Sequence, residues 1–236
     1  MRVLRFKDEA AWIEAVRADF LAALGAARKD GRVLELVLSG GSTPEPLYKA
    51  LAASPVRSQP IRLWLGDERA VALADPARNG ALVARCFSRA EWEPAPEIRP
   101  WPTGDAAETA PRYAAELRAV LGPRPVFDLA LLGFGIDGHT ASLFPGDPPS
   151  LEALIPGREE IAFATRAPVE PRARMSLGAD CLAGTRLLRF VSRGKAKGEV
   201  LDRLERDEGR NLPARLVAEL AASRGADVVF LHLDSE

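Results

Sequence analysis

Residues 33–52 read VLELVLSGGSTPEPLYKALA. Positions 33–38 are apolar apart from Glu35, the pattern of a strand covered on both faces. A polar turn follows, Ser39-Gly40-Gly41-Ser42-Thr43, and helical spacing then runs from Pro44 to Ala52. Thr43 is placed to cap that helix and Pro44 to fill its first position. Strand, glycine turn and helix in this order form the repeating unit of an α/β fold with a parallel sheet. The adjacent glycines let backbone approach a ligand closely. N–H groups at the helix start, backed by the helix dipole, would face an anion. No Gly-Lys-Ser/Thr follows, so the turn is not a nucleotide P-loop. An ordinary βα turn has the same appearance, so the other loops must decide its role.

Outward from this unit the alternation continues. Strands are predicted at 3–6, 61–65, 127–132, 161–165, 175–177, 187–192 and 227–233, and helices at 77–87, 105–121, 196–204 and 213–222. A first helix at 8–29 carries Trp12, Val16, Phe20 and Leu24 on one stripe, with Asp8 as its cap. Residues 91–103 hold four prolines and two tryptophans and read as a long loop, a linker or a lid. The expected architecture is a largely parallel sheet with helices on both faces. In such a sheet, ligands sit beyond the carboxyl ends of the strands.

Composition removes several function classes. The chain has 236 residues, 47% of them hydrophobic and 28% charged, which suits a single α/β domain spanning residues 1–236. Its net charge of −1 lacks the basic excess of a nucleic-acid binder. Cys86 and Cys181 have no CxxC partner and make neither a disulfide framework nor a cysteine zinc site. No apolar run approaches the ~20 residues of a membrane span. The start, MRVLRFKDEAAW, lacks a signal-peptide h-region, so a cytoplasmic location is expected.

Three further loops carry candidate chemistry. Gly66-Asp67-Glu68-Arg69 follows the strand IRLWL, where three charges suggest either a solvated turn or a ligand edge. Gly133-Phe134-Gly135-Ile136-Asp137-Gly138-His139-Thr140 follows FDLALL and contains a literal GxGxxG. The dinucleotide reading fails, because Pro145-Gly146 stops any helix within about two turns. What remains is Asp137 and His139 two apart in a glycine-flanked loop, with His139 a candidate general base. The third is a scattered basic set: Arg172 and Arg174, then Lys195 and Lys197 after Gly194. These are either surface charges or a phosphate clamp completed by the first loop. His232, the other of the two histidines, reads as a partly buried strand residue.

Taken together, LSGGSTPEPLY (38–48), GDERAV (66–71) with Asn79, and LLGFGIDGHTASLFPG (131–146) resemble the 6-phosphogluconolactonases of the glucosamine-6-phosphate isomerase/6-phosphogluconolactonase family. The resemblance runs from end to end. It implies a three-layer α/β/α sandwich related to ribose-5-phosphate isomerase, and hydrolysis of 6-phosphoglucono-δ-lactone without metal or organic cofactor. It implies that Gly40, Gly41, Ser42 and Thr43 hold the phosphate with Arg174 and Lys197, and that Asp67, Arg69, Asp137 and His139 line the lactone. The partner implied is the sugar-phosphate lactone alone, with no nucleic acid or membrane, in a monomer or small homo-oligomer. The chain departs from the family at Arg78-Asn79-Gly80, where members often have Ser-Asn-Tyr, and at NLPARLV (211–217); no role is assigned to Asn79 or to that segment.

Hydrolysis needs a base for water, and His139 suits it; Asp137 or Asp67 would orient the imidazole or the water. Arg69 would meet the charge developing on the carbonyl oxygen. The loop is not a Gly-x-Ser-x-Gly elbow, which argues against a serine nucleophile. The nearest rival, a glucosamine-6-phosphate deaminase, would need a further catalytic acid after the histidine, and residues 140–145 offer none. A second rival, a sugar-phosphate sensor, would need a DNA-binding segment, and neither a helix-turn-helix nor a basic arm is read in these 236 residues.

Overall fold

A computed structural model describes residues 1–234. The strands are β1 (Arg2–Phe6), β2 (Leu34–Leu38), β3 (Ile61–Leu65), β4 (Asp67–Arg69), β5 (Glu97–Arg99), β6 (Phe127–Leu132), β7 (Ala162–Arg166), β8 (Ala173–Leu177), β9 (Thr185–Arg193) and β10 (Asp227–Leu233). The helices are α1 (Glu9–Lys29), α2 (Glu45–Ala52), α3 (Asn79–Phe87), α4 (Ala106–Leu121), α5 (Pro148–Ala153), α6 (Ala179–Leu182), α7 (Lys195–Glu205) and α8 (Pro213–Ser223).

Seven strands form one sheet in the order β1-β10-β9-β6-β2-β3-β5, and all its pairings are parallel. Every residue of β2 and β6 is buried, as their unbroken apolar runs require. Helices cover the sheet. α1 packs across β1, β2, β6, β9 and β10, with α2 and α3 beside it; α6 and α8 form a second group. Asp8 caps α1, accepting from the N–H groups of Ala10 and Ala11, and Trp12, Val16, Phe20 and Leu24 are all buried as the stripe predicts. Asp105 caps α4 in the same way.

The structure corrects the sequence reading in four places. Residues 67–69 are not a turn but the strand β4, which joins β8 and β7 in a separate antiparallel sheet ordered β4-β8-β7. Residues 91–103 are neither linker nor lid. They contain the edge strand β5, and both tryptophans are buried: Trp92 donates to the Ser54 carbonyl at 3.0 Å and Trp101 to the Leu65 carbonyl at 3.0 Å. The third is α2, which begins at Glu45 with Pro44 as its cap residue and no side-chain cap, so Thr43 does not close the helix. The last comprises α5 and α6, two short helices that residue spacing did not mark.

This topology sets the site. β9, β6, β2 and β3 are neighbours in the sheet, and at their carboxyl ends lie Gly194 with the start of α7, residues 133–144, residues 39–43, and β4. β4 is held down by Glu68, which is fully buried. Its carboxylate accepts the N–H groups of Arg69 at 2.8 Å, Asn79 at 2.7 Å and Gly80 at 2.8 Å, and lies 3.6 Å from the buried guanidinium of Arg78. Burial pushes its pKa up against these donors and Arg78. Glu68→Gln would leave Arg78 without its counter-charge and point an NH2 group at N–H donors. Breaking buried pairs of this kind costs about 3–5 kcal/mol. A loss of about 3 kcal/mol or more is expected in urea unfolding, and a loss below about 1 kcal/mol would show that Glu68 does not anchor β4.

Candidate active site

Residues 133–144 turn tightly on themselves. The Gly135 N–H donates to the His139 carbonyl at 2.8 Å, the Gly138 N–H to the Gly135 carbonyl at 3.0 Å, and the Thr140 hydroxyl to the Gly133 carbonyl at 2.8 Å. Gly138 has φ +82°, which glycine adopts without strain. A Cβ on Gly135 would collide with the His139 ring and the Asp137 carboxylate, and one on Gly138 would lie 2.7 Å from Leu212. Gly135 therefore makes room for a histidine and an aspartate and Gly138 for Leu212, not for a pyrophosphate.

The result is a close pair. His139 Nδ1 and Asp137 Oδ1 are 2.6 Å apart, and the same oxygen accepts the His139 backbone N–H at 3.2 Å. Nδ1–H facing a carboxylate leaves Nε2 with the lone pair. The Phe144 ring packs on the imidazole with centroids 4.7 Å apart. Burial alone would raise the Asp137 carboxyl, but the hydrogen bond and charge of His139 outweigh it and hold its pKa below the usual range. Asp137 thus orients the imidazole, and Asp67 does not.

Asp67 is buried and held elsewhere. Its Oδ1 accepts the Asn79 amide at 3.1 Å and its Oδ2 the Ser142 hydroxyl at 2.6 Å. Asp67 pairs with Ser176 across β4 and β8, and Arg69 pairs with Arg174, so the two arginines lie side by side. Arg174 is buried, and burial together with the charge of Arg69 lowers its pKa. Like charges directly opposite on neighbouring strands repel, and an anion would relieve them. Arg69 donates to the Ala77 carbonyl and Arg174 to that of Pro171. Arg172 is exposed and pairs with Glu170 at 3.1 Å, away from Arg174.

Lys197, in the first turn of α7, donates to the Phe134 carbonyl, and its ammonium lies 5.4 Å from the Phe134 ring centroid. Burial lowers its pKa while the charge of Asp137 opposes the shift. Lys197 therefore stands beside the histidine loop, and the structure does not bring it into contact with Arg174. Lys195 is exposed.

The first glycine loop completes the group. Ser39 exchanges two hydrogen bonds with the Tyr48 hydroxyl, at 2.9 and 2.7 Å. Gly40 packs directly on Asn79, where a Cβ would collide. Gly41 has φ +96°. The backbone N–H groups of Gly40, Gly41, Ser42 and Thr43 make no hydrogen bond among the described residues, and neither does the buried Ser39 hydroxyl. His232 lies outside the site; it is buried, with its Nδ1 2.9 Å from the Ser192 hydroxyl, and burial depresses its pKa.

Sequence reasoning assigned no role to three supports. Ser142 carries Asp67, and Asn79 does the same from the other side. The third is 212–214, where the Ala214 N–H donates to the Gly138 carbonyl at 3.1 Å and Leu212 covers Gly138. Ser142 sits inside the DGHTAS run and could have been singled out there. A cleft of about 1220 Å³ opens at the opposite end of the sheet. Of the arginines lining it, Arg224 pairs with Asp180, Arg186 with Asp128, and Arg158 lies 3.5 Å from Glu160. Among the described residues no three His, Cys, Asp or Glu side chains converge as a metal site, and no helix is long and apolar enough to cross a membrane.

The sequence profile described as glucosamine-6-phosphate isomerases/6-phosphogluconolactonase matches residues 7–226. The chain belongs to this family. It is 34% identical over 224 residues to a 6-phosphogluconolactonase of Rhizobium meliloti, covering 92% of this chain and 94% of that one. It is 32% identical over 203 residues to that of Haemophilus influenzae, covering 84% of each. The crystal structure of a 6-phosphogluconolactonase from Shewanella baltica superposes with a TM-score of 0.83 at 26% identity, over 100% of this chain and 98% of the other. The family assignment fits the three-layer α/β architecture and the site at the carboxyl edge of its sheet.

The His139–Asp137 pair makes a direct prediction. In the intact protein the Asp137 carboxyl titrates below the ordinary range; in His139→Ala the hydrogen bond and charge of the imidazole are lost while burial and the backbone N–H groups remain, so it should titrate above its position in the parent. Carboxyl-carbon NMR titration measures both, and an unchanged Asp137 would show that the imidazole is not its partner.

Proposed function

We propose that this protein hydrolyses 6-phosphoglucono-1,5-lactone to 6-phosphogluconate. The observation that carries the reading is the His139–Asp137 pair at 2.6 Å, set at the same sheet edge as a loop of unpaired N–H groups and three buried or half-buried cations. His139 Nε2 takes a proton from water as the oxygen attacks C1. Arg69 meets the negative charge on the carbonyl oxygen; a donor of this kind is worth ~10²–10³ in rate. The tetrahedral adduct then collapses, the C1–O5 bond breaks, and the imidazolium returns its proton to O5. The phosphate is held by the N–H groups of residues 40–43 with Arg174 and Lys197 supplying charge. Asp67 holds the supports and does not touch the water.

The deaminase alternative is disfavoured by the same loop. The hydroxyls of Thr140 and Ser142 donate to Gly133 and Asp67, and neither they nor the apolar residues up to 145 supply a second acid. The protein acts, in this reading, as a single cytoplasmic domain on a small molecule, without nucleic acid, as a monomer or small homo-oligomer. Purified protein should accelerate acid release from the lactone above its spontaneous opening and release no ammonia from glucosamine-6-phosphate. His139→Ala should lower kcat by ~10²–10⁴. Ammonia release with no lactonase activity above background would overturn the assignment.

A further inference from the structure

Ser142 uses every polar atom it has. Its N–H donates to the Ser176 hydroxyl at 3.2 Å, its carbonyl accepts the Thr165 hydroxyl at 2.7 Å, and its own hydroxyl donates to Asp67 Oδ2 at 2.6 Å. It is 1% exposed. Three residues before it stands His139; two residues after Asp67 stands Arg69, facing Arg174. The backbone bonds tie the loop to the antiparallel sheet and survive loss of the hydroxyl. The hydroxyl bond is different, because it ends on the side chain of β4 that Asn79 holds from the other direction. Asn79 donates to Asp67 Oδ1 at 3.1 Å and to the Asp67 carbonyl at 2.9 Å, and packs on Gly40 of the first glycine loop.

We propose that Ser142 is a positioning residue for lactone hydrolysis, acting through Asp67 to keep the loop that carries His139 in register with the strand pair that carries Arg69 and Arg174. The inference rests on the lactonase reading. The base and the oxyanion partner come from two different sheets, so their separation is set by what joins those sheets at this point. Misplacement of a reacting group by about 1 Å costs ~10²-fold in rate. Ser142 touches neither the phosphate loop nor Lys197, and Arg174 keeps its own bond to the Pro171 carbonyl, so ground-state binding changes less than kcat.

Steady-state kinetics on the parent come first: no lactonase activity there sinks the function, not this inference. In an active protein, Ser142→Ala should lower kcat by ~10–100-fold with KM within about threefold. Ser142→Thr, which keeps the hydroxyl, should recover most of kcat. The Asp67→Ala, Ser142→Ala double variant should be no slower than Asp67→Ala alone, because the two act as one unit. Unchanged kcat in Ser142→Ala, a loss confined to KM, or losses that multiply in the double variant would each overturn the proposal. The double-variant comparison decides the matter even if the threonine methyl does not fit.

Discussion

A carboxylate buried to 6% exposure must have its oxygens filled, and at Asp67 the two donors come from different parts of the chain. Asn79 arrives from the start of α3 and Ser142 from the loop after β6. One side chain therefore holds three loops at fixed spacing, because Asn79 in turn rests on Gly40. Glu68, the next residue, faces the opposite way and anchors the same strand to the start of α3. The site is assembled around these two acids. In the lactonase reading proposed above, neither is the base.

The glycines show how a motif can mislead and still be informative. Gly133, Gly135 and Gly138 match a dinucleotide fingerprint in spacing, but the clearance at Gly135 is filled by the Asp137–His139 pair and that at Gly138 by Leu212. Glycine at Gly40 likewise makes room for Asn79. In both loops the absent side chain is a statement about what packs against the backbone. That partner is named only by the folded chain.

The parallel sheet, its long helices and the histidine loop were legible in the sequence because each depends on local pattern: apolar runs, capping residues and glycine spacing. Strand β4 was not, because three consecutive charged residues read as a solvated turn. Their burial is compensated by groups far along the chain, Asn79, Gly80 and Arg78 for Glu68, and Ser142 for Asp67. Prolines disguised β5 and the buried tryptophans beside it in the same way. The charge arrangement was partly legible. Arg69, Arg174 and Lys197 could be picked out singly, but the facing of Arg69 and Arg174 appears only with the register of β4 on β8. Two guanidinium groups held opposite each other cost stability in the free protein and become favourable when an anion arrives, a common feature of binding sites.

The most direct measurement is a crystal structure with 6-phosphogluconate bound. The account predicts the phosphate on the N–H groups of residues 40–43, with the carboxylate carbon, formerly C1, within hydrogen-bonding reach of both His139 Nε2 and Arg69 through its oxygens. Product bound with its carboxylate away from His139, or a phosphate seated in the large cleft at the opposite end of the sheet, would contradict it.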